Sequence, residues 1–200
     1  MELNFQKTVK LNLIYYPLST LGPEERIGIW FQGCSFKCTA CMSRHTWNYN
    51  DGYKESVSKI VKDIRKYNCK NITISGGEPF EQAEELYQLL CRLKKENYEI
   101  LIYSGYEYKY LNYHHSKILD LVDILIDGLF QVNQETNKQY KGSSNQKMYI
   151  FSSNQYIIKK YDKWKNETNK KLQIVNKNDK LYILGIPEIK DTRSVIGGVI

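Results

Sequence analysis

Three cysteines within one short segment are the residues best suited to chemistry in this chain. Cys34, Cys38 and Cys41 follow one another at C-x3-C-x2-C spacing, which lets three thiolates meet at one metal centre. On a four-iron cluster, three thiolates leave one iron open, and an open iron can bind a substrate directly. A zinc site is the alternative, because His45 follows Cys41 at a C-x3-H interval and could complete a Cys3His tetrahedron. The spacing alone leaves both metal centres open.

A glycine-rich turn is the second candidate for a binding site. Gly76-Gly77-Glu78-Pro79 follows a predicted strand, and paired glycines let the backbone pass close to a ligand. Pro79 fixes the angle at which the chain leaves the turn. A purely structural strand-to-helix turn has the same composition, so the motif by itself is compatible with either role.

Two further turns carry polar groups at the ends of predicted strands. Ser104-Gly105-Tyr106 could offer a hydroxyl and backbone groups to a ligand. Asp127 precedes Gly128 at the end of another strand, where it could bind a ligand or simply cap the turn. Cys69 and Cys91 fall on or near predicted helices, and we expect them to be ordinary packed thiols.

The elements that must position these residues alternate between short β-branched runs and amphipathic segments, which is typical of an α/β protein. Strands are predicted over 11–16, 27–31, 71–75, 99–103, 124–126 and 148–151, with helices over 56–67 and 81–96 and a helix end at 118–122. This order predicts parallel pairing with right-handed crossovers. Since carboxyl ends of parallel strands share one edge of a sheet, we expect the cysteine loop and the three turns to meet there.

The pattern changes beyond residue 153. Leu172 and Ile174 alternate with polar residues, a turn is predicted over 176–179, and Leu181 and Ile183 alternate again, which predicts an appended hairpin. We therefore divide the chain into a core domain, 1–153, and a C-terminal extension, 154–200. Residues 156–180 hold eight lysines and three acids, so the extension supplies most of the net charge of +7.

Composition limits the cellular setting. No apolar run approaches the roughly 18 residues of a membrane-spanning helix, and the N-terminus lacks the apolar stretch of a secretory signal. We therefore expect a soluble, cytoplasmic protein without membrane association, whose cysteines serve metal or redox chemistry. The basic extension lacks the aromatic patterning of a nucleic-acid module, so a solvated surface is the simpler interpretation.

Taken together, the cysteine spacing and the Ser75-Gly76-Gly77-Glu78-Pro79 run resemble the radical S-adenosylmethionine superfamily. More narrowly, His45-Thr46-Trp47, Ser104-Gly105-Tyr106, Asp127-Gly128 and the 141–146 run resemble the family of activating proteins of the anaerobic ribonucleotide reductase. The resemblance covers roughly residues 10–151. Two positions depart from it: Ala40 replaces an aromatic residue that often precedes the third cysteine, and Lys141 stands where an arginine is common.

This resemblance implies a fold, cofactors and a partner. The fold would be an incomplete parallel βα barrel that holds one [4Fe-4S] cluster on Cys34, Cys38 and Cys41, with S-adenosylmethionine (SAM) on the open iron. Implied SAM-binding residues are Gly76, Gly77, Glu78, Pro79, Ser104, Tyr106, Phe36 and Asp127, with Phe36 or Tyr106 replacing the missing aromatic residue beside the adenine. The enzyme would cleave SAM to a 5′-deoxyadenosyl radical and generate a glycyl radical on a large partner enzyme, using electrons from a donor such as flavodoxin.

Two other functions stay open from the sequence. A radical enzyme of this kind could modify a different glycyl-radical protein, a peptide or a small heterocycle, and the extension is the feature that would signal it. The alternative outside enzymes is a zinc module that grips nucleic acid through the basic segment. That module leaves the Gly-Gly-Glu-Pro turn without an explanation.

Overall fold

A mixed seven-stranded sheet organises the computed structural model, which describes residues 4, 6–177 and 179–188. The strands are β1 (Thr8–Leu18), β2 (Arg26–Phe31), β3 (Tyr53–Ser56), β4 (Asn71–Gly76), β5 (Glu99–Tyr103), β6 (Ile124–Asp127) and β7 (Lys147–Ile150), in the order β3-β1-β2-β4-β5-β6-β7. The central strands β2, β4, β5 and β6 are parallel, as the sequence predicts. The chain is thus an α/β protein with a parallel-dominated sheet.

The prediction of parallel pairing is wrong at both ends of this sheet. β1 pairs antiparallel with β2 and β3, and β7 pairs antiparallel with β6. The segment between Leu18 and Arg26 is too short for the crossover of a dozen or more residues that a parallel pair needs. The connection between β6 and β7 contains one short 3-10 turn, Val132–Gln134, and it also returns antiparallel.

Three helices cover one face of the sheet: α1 (Val57–Ile64), α2 (Ala83–Lys95) and α3 (Tyr108–Leu119). The apolar positions of α1 predicted from helical spacing are all buried, and Ser56 caps its first turn by accepting a hydrogen bond from the Lys59 N–H. The buried apolar residues of α1 pack against side chains at alternate strand positions, such as Ile29 and Ile74. Helix α3 begins in a tyrosine-rich stretch, 106–113. Within the described residues no helix is both long and apolar enough to cross a bilayer.

The opposite face of the sheet is covered by the C-terminal part of the chain. Helix α4 (Gln155–Asn166) buries Tyr161 and Trp164 against Leu101, Ile124 and Ile126. Strands β8 (Leu172–Lys177) and β9 (Lys180–Gly185) pair antiparallel, with Ile174 directly opposite Ile183. Helix α4 was not predicted from the sequence, although Ile157, Tyr161 and Trp164 are at helical spacing. The domain division after residue 153 remains a prediction.

A buried ionic network fastens α4 to the sheet. Arg26 is fully buried and donates to Glu99 Oε1 at 2.8 Å and to Thr73 Oγ1 at 2.7 Å. From α4, Lys160 Nζ donates to Glu99 Oε2 at 2.6 Å and the Tyr161 hydroxyl donates to Glu99 Oε1 at 2.7 Å. Because both carboxylate oxygens of Glu99 are used by cations or hydroxyls, the pairing compensates for the burial of the charges.

Candidate functional site

The cysteine loop leaves the sheet at the carboxyl end of β2. It is closed at its base by backbone hydrogen bonds from Gly33 N to Thr46 O at 2.7 Å and from Cys34 N to Trp47 O at 3.1 Å. Within the loop, Lys37 and Ala40 have left-handed φ values of 46° and 60°. Such strained conformations in residues other than glycine cluster at functional sites.

All three cysteines of the loop line one cavity of about 220 Å³ at the carboxyl ends of β2, β4 and β5. Among the other predicted site residues, the same cavity is lined by Phe36, Gly76, Gly77, Glu78 and Ser104. Lining residues that were not predicted as site residues include Trp30, Met42, Leu129, Phe130 and residues 183–187. The structure therefore brings the cysteine loop, the glycine turn and the Ser104 turn together, as expected from the parallel strands.

The glycine turn lies directly against the start of the cysteine loop. Gly77 N donates to Phe31 O and Glu78 N donates to Gly33 O, both at 2.8 Å. A Cβ at position 77 would lie 2.0 Å from the Gly33 carbonyl oxygen, so only glycine fits there. Gly77 therefore packs closely against the protein's own backbone at Gly33. This contact fixes the glycine turn relative to the cysteine loop.

Glu78 links the glycine turn to the next strand end. Its carboxylate is buried and accepts from the Phe80 N–H at 3.0 Å, the Ser104 hydroxyl at 2.9 Å and the Gly105 N–H at 2.7 Å. Burial raises the pKa of Glu78 to about 7, although these three donors oppose the shift. The side chain both lines the cavity and holds two of its walls together.

The Ser104 turn packs against the aromatic ring of Phe36. A Cβ at Gly105 would lie 2.6 Å from the Phe36 ring, so the absence of a side chain makes room for Phe36. Tyr106 contacts the Phe36 ring edge-on, with centroids 4.7 Å apart, and stacks on Tyr110 at 4.6 Å. Phe36 thus forms the cavity surface, and Tyr106 supports it from behind.

Two other predicted residues hold neighbouring elements. Asp127 is buried, and its carboxylate accepts from the Tyr108 N–H at 2.6 Å and the Lys147 N–H at 3.2 Å, which joins α3 and β7. Burial raises the pKa of Asp127, and both N–H groups oppose the shift. Pro79 is the buried first residue of a 3-10 turn, Pro79–Gln82.

A further carboxylate, Glu81, was missed by the sequence analysis because no local motif marks it. It accepts from the Ser35 N–H at 3.0 Å, and the Ser35 and Tyr49 hydroxyls also bond to it. These bonds tie the residue after Cys34 to the glycine turn. Glu81 is therefore a positioning residue for the cysteine loop.

The 141–146 run folds on itself beside the cavity. Gln146 Oε1 accepts from the Gly142 N–H at 2.9 Å, and Gln146 Nε2 donates to Gly128 O at 2.9 Å. Lys141 Nζ donates to the carbonyl oxygens of Ser144 and Gln146, both at 2.9 Å. Much of the hydrogen-bonding capacity of these side chains thus shapes the loop itself.

The thiols are held in surroundings that suit a cluster. Burial raises the pKa of Cys34 to about 11, while the N–H groups of Phe36 and Lys37 oppose the shift by hydrogen bonding to the sulfur. Burial and neighbouring Cys41 raise the pKa of Cys38, against a hydrogen bond from the Phe130 N–H. Iron coordinated by these sulfurs would reverse this balance, because a metal deprotonates a coordinating thiol, and the same N–H groups would then stabilise the thiolates.

The donor set fits an iron–sulfur cluster better than a single zinc ion. In the described ranges no three Cys, His, Asp or Glu side chains are close enough to share one ion, and the three thiols are instead distributed around one cavity. A cluster takes its thiolates at separate irons, so it suits ligands that are spread apart. His45, the fourth ligand of the zinc alternative, has its ring edge-on to Tyr182, with centroids 6.1 Å apart.

Comparison with known proteins adds independent information. The model of the family described as "4Fe-4S single cluster domain" matches residues 20–149. An anaerobic ribonucleoside-triphosphate reductase-activating protein of Vibrio cholerae serotype O1 is 30% identical over 149 residues, which cover 69% of this chain and 96% of that protein. A pyruvate formate-lyase 1-activating enzyme of Escherichia coli K12 is 29% identical, over 66% of this chain and 56% of that enzyme. The crystal structure of QueE from Escherichia coli aligns with a TM-score of 0.43 and 21% identity, over 50% of this chain and 54% of that one.

The family match extends over more than half of the chain and includes all three cysteines and the glycine turn. It names a 4Fe-4S cluster where the cysteine spacing alone left iron and zinc open. The relative from Vibrio cholerae is covered almost from end to end. The chain therefore belongs to the 4Fe-4S single cluster domain family, among the radical S-adenosylmethionine activating proteins.

Proposed function

We propose that this protein uses a [4Fe-4S] cluster and SAM to generate a glycyl radical on a large partner enzyme, an anaerobic ribonucleotide reductase. One observation carries the proposal: Cys34, Cys38 and Cys41 line the same cavity as the glycine turn and the Ser104 turn. When bound, the cluster and SAM supply reductive cleavage of a carbon–sulfur bond to methionine and a 5′-deoxyadenosyl radical. Relatives named as activating proteins support this reaction.

The chain's own residues would bind and orient these groups. The three thiolates hold three irons, and backbone N–H groups of Phe36, Lys37 and Phe130 donate to two of the sulfurs. Gly76 and Gly77 expose backbone atoms to SAM at the cavity surface, and the Phe36 ring offers an apolar face to the adenine. This assigns to Phe36 the role that Ala40 cannot fill.

Glu78, Ser104, Tyr106, Pro79 and Asp127 take supporting roles in this proposal. Glu78 and Ser104 bond to one another, so they fix the turn on which the amino-acid end of SAM rests. Tyr106 and Pro79 keep Phe36 and the glycine turn in place, and Asp127 joins α3 to β7 nearby. The sheet would correspond to an incomplete βα barrel, with the C-terminal hairpin appended to it. An electron donor such as flavodoxin and a cytoplasmic location complete the proposal.

Anaerobic reconstitution tests the proposed function. The protein is loaded with iron and sulfide, its metals are counted, and 5′-deoxyadenosine is measured after SAM and dithionite are added. We expect near four irons per chain and 5′-deoxyadenosine, followed by a glycyl radical in electron paramagnetic resonance when the reductase subunit of the same organism is added. One zinc per chain without SAM cleavage would refute the proposal.

A different target is the second candidate, because a pyruvate formate-lyase activating enzyme is also similar to this chain. SAM cleavage with a glycyl radical on pyruvate formate-lyase, and none on the reductase, would favour this candidate.

A further inference from the structure

The C-terminal hairpin forms part of the wall of the cysteine cavity. The same cavity as the three cysteines is lined by Ile183, Leu184 and Gly185 of the hairpin and by Ile186 and Pro187 directly after it. They lie far beyond residue 149, where the match to the family model ends. This wall is therefore a feature of the present chain that the family match does not account for.

The hairpin is fixed in place by contacts with β1 and its neighbours. Val175 and Leu184 are buried in a cluster with Leu13, Leu18 and Trp30. Gln173 Nε2 donates to Pro17 O at 2.8 Å, and Lys177 Nζ donates to Ile14 O at 2.6 Å. Because both strands contribute anchors, the cavity wall has a defined position and is not a loosely attached tail.

Ile183 and Ile186 are less exposed than two other apolar residues, Ile174 and Leu181 of the hairpin. Ile174 pairs directly with Ile183 and is 68% exposed, and Leu181, two residues before Ile183, is 69% exposed. Ile183 and Ile186 are half-buried and line the cavity. Ile174, Leu181 and Ile183 share one face of the hairpin, and of these three Ile183 alone lines the cavity.

We infer that Ile183 and Ile186 form an apolar shield that keeps water from the cysteine cavity and determines which target segments reach it. A site that produces a reactive radical must exclude stray molecules that can give up a hydrogen atom. A charged target would lose its hydration against two isoleucines without gaining a partner, which costs far more free energy than the same loss by an uncharged peptide segment around a glycine. The selection of targets rests on the proposed function, but the shielding of the thiols does not.

Thiol modification of the metal-free, reduced protein tests the shielding. The double variant Ile183→Ser/Ile186→Ser is compared with Ile174→Ser/Leu181→Ser, which makes the same change on the exposed positions. Iodoacetamide labelling followed by mass spectrometry gives a rate for each cysteine. We expect the wall variant to raise the rates at Cys34, Cys38 and Cys41 about threefold or more, with Cys69 and Cys91 unchanged, because local access limits labelling.

Controls separate shielding from loss of structure. The conservative variant Ile183→Val/Ile186→Val should keep the wild-type rates, and thermal unfolding should show that the serine variants remain folded. Equal labelling rates in the wall variant, the exposed-face variant and the wild type would overturn the inference. A rise at all five cysteines would indicate general unfolding and would equally count against a local shield.

A coupling measurement on the reconstituted protein tests target selection. The number of 5′-deoxyadenosine molecules formed per glycyl radical on the reductase subunit should rise severalfold in the wall variant and stay at the wild-type value in the exposed-face variant. An unchanged ratio in the wall variant would refute the role in selection. Absence of SAM cleavage in the wild type would instead refute the proposed function, and the labelling result would still decide the shield.

Discussion

The Ser104 hydroxyl donates a 2.9 Å hydrogen bond to the buried carboxylate of Glu78. This bond joins the turn after β4 to the turn after β5, and the same carboxylate also accepts from the Gly105 N–H. Two loops that are 26 residues apart are thereby held as one surface beside the cysteines.

Protonation of Glu78 should make the stability of the protein depend on pH. The carboxyl has an ordinary pKa of 4.5 and a folded-state pKa of about 7, so the folded chain binds more protons between these values. Stability should therefore fall by about 3 kcal/mol as the pH rises through this range. Urea unfolding of the metal-free protein at several pH values, compared with Glu78→Gln, measures this contribution. The prediction fails if wild type and variant show the same pH dependence.

The three clustered cysteines should differ in function from the other two. Cys34→Ala, Cys38→Ala and Cys41→Ala should each lose iron and SAM cleavage, because each removes one thiolate from the cavity. Cys69→Ala and Cys91→Ala are matched controls and should retain both properties. Iron content and 5′-deoxyadenosine yield after reconstitution are the measurements. Equal loss in all five variants would show that the wrong cysteines have been assigned.

Removal of Glu81 should loosen the cluster without unfolding the chain. Glu81→Ala deletes the acceptor of the Ser35 N–H, one residue after Cys34. We expect iron to be lost to a chelator about tenfold faster, since outer contacts of a metal site have effects of this size. Glu84→Ala, which removes only a surface ion pair with Lys7, should leave the rate unchanged. A wild-type rate in Glu81→Ala would contradict the positioning role.

Loss of Glu99 should destabilise the attachment of α4. Glu99→Ala leaves the fully buried Arg26 without its carboxylate partner, which should cost about 3–5 kcal/mol in the free energy of unfolding. Asp63→Ala breaks the exposed pair with Lys59 and should cost less than about 1 kcal/mol. Denaturant unfolding compares the two. Similar, small losses in both variants would show that the buried network does not stabilise the fold.

Lowering the pH should remove the stability that Glu99 contributes through the buried ionic network. Burial acts to raise the pKa of Glu99, but Arg26, Lys160 and Tyr161 together lower it below its ordinary 4.5. Its contribution to stability is therefore present above pH 4.5 and is lost as the pH falls through the depressed folded-state value. Acid unfolding of the wild type should include this loss, and Glu99→Ala should lack it.

The sequence by itself determined which residues form the candidate site and where the central strands lie. Cysteine spacing, the Gly-Gly-Glu-Pro turn and the alternation of strands and helices are local patterns, and they predicted which loops meet at the end of a parallel sheet. These patterns did not reveal that β1 returns antiparallel, although the short link to β2 requires it.

Only the tertiary structure decided what completes the cavity. Ile183 and Cys34 line one space although they are almost 150 residues apart, and Glu99 meets Lys160 across 61 residues. The physical reason is that the sheet has two apolar faces, and α1, α2 and α3 cover only one. Helix α4 and the hairpin pack on the sheet because its second apolar face must be buried. No local sequence pattern specifies that the hairpin then lines the cysteine cavity.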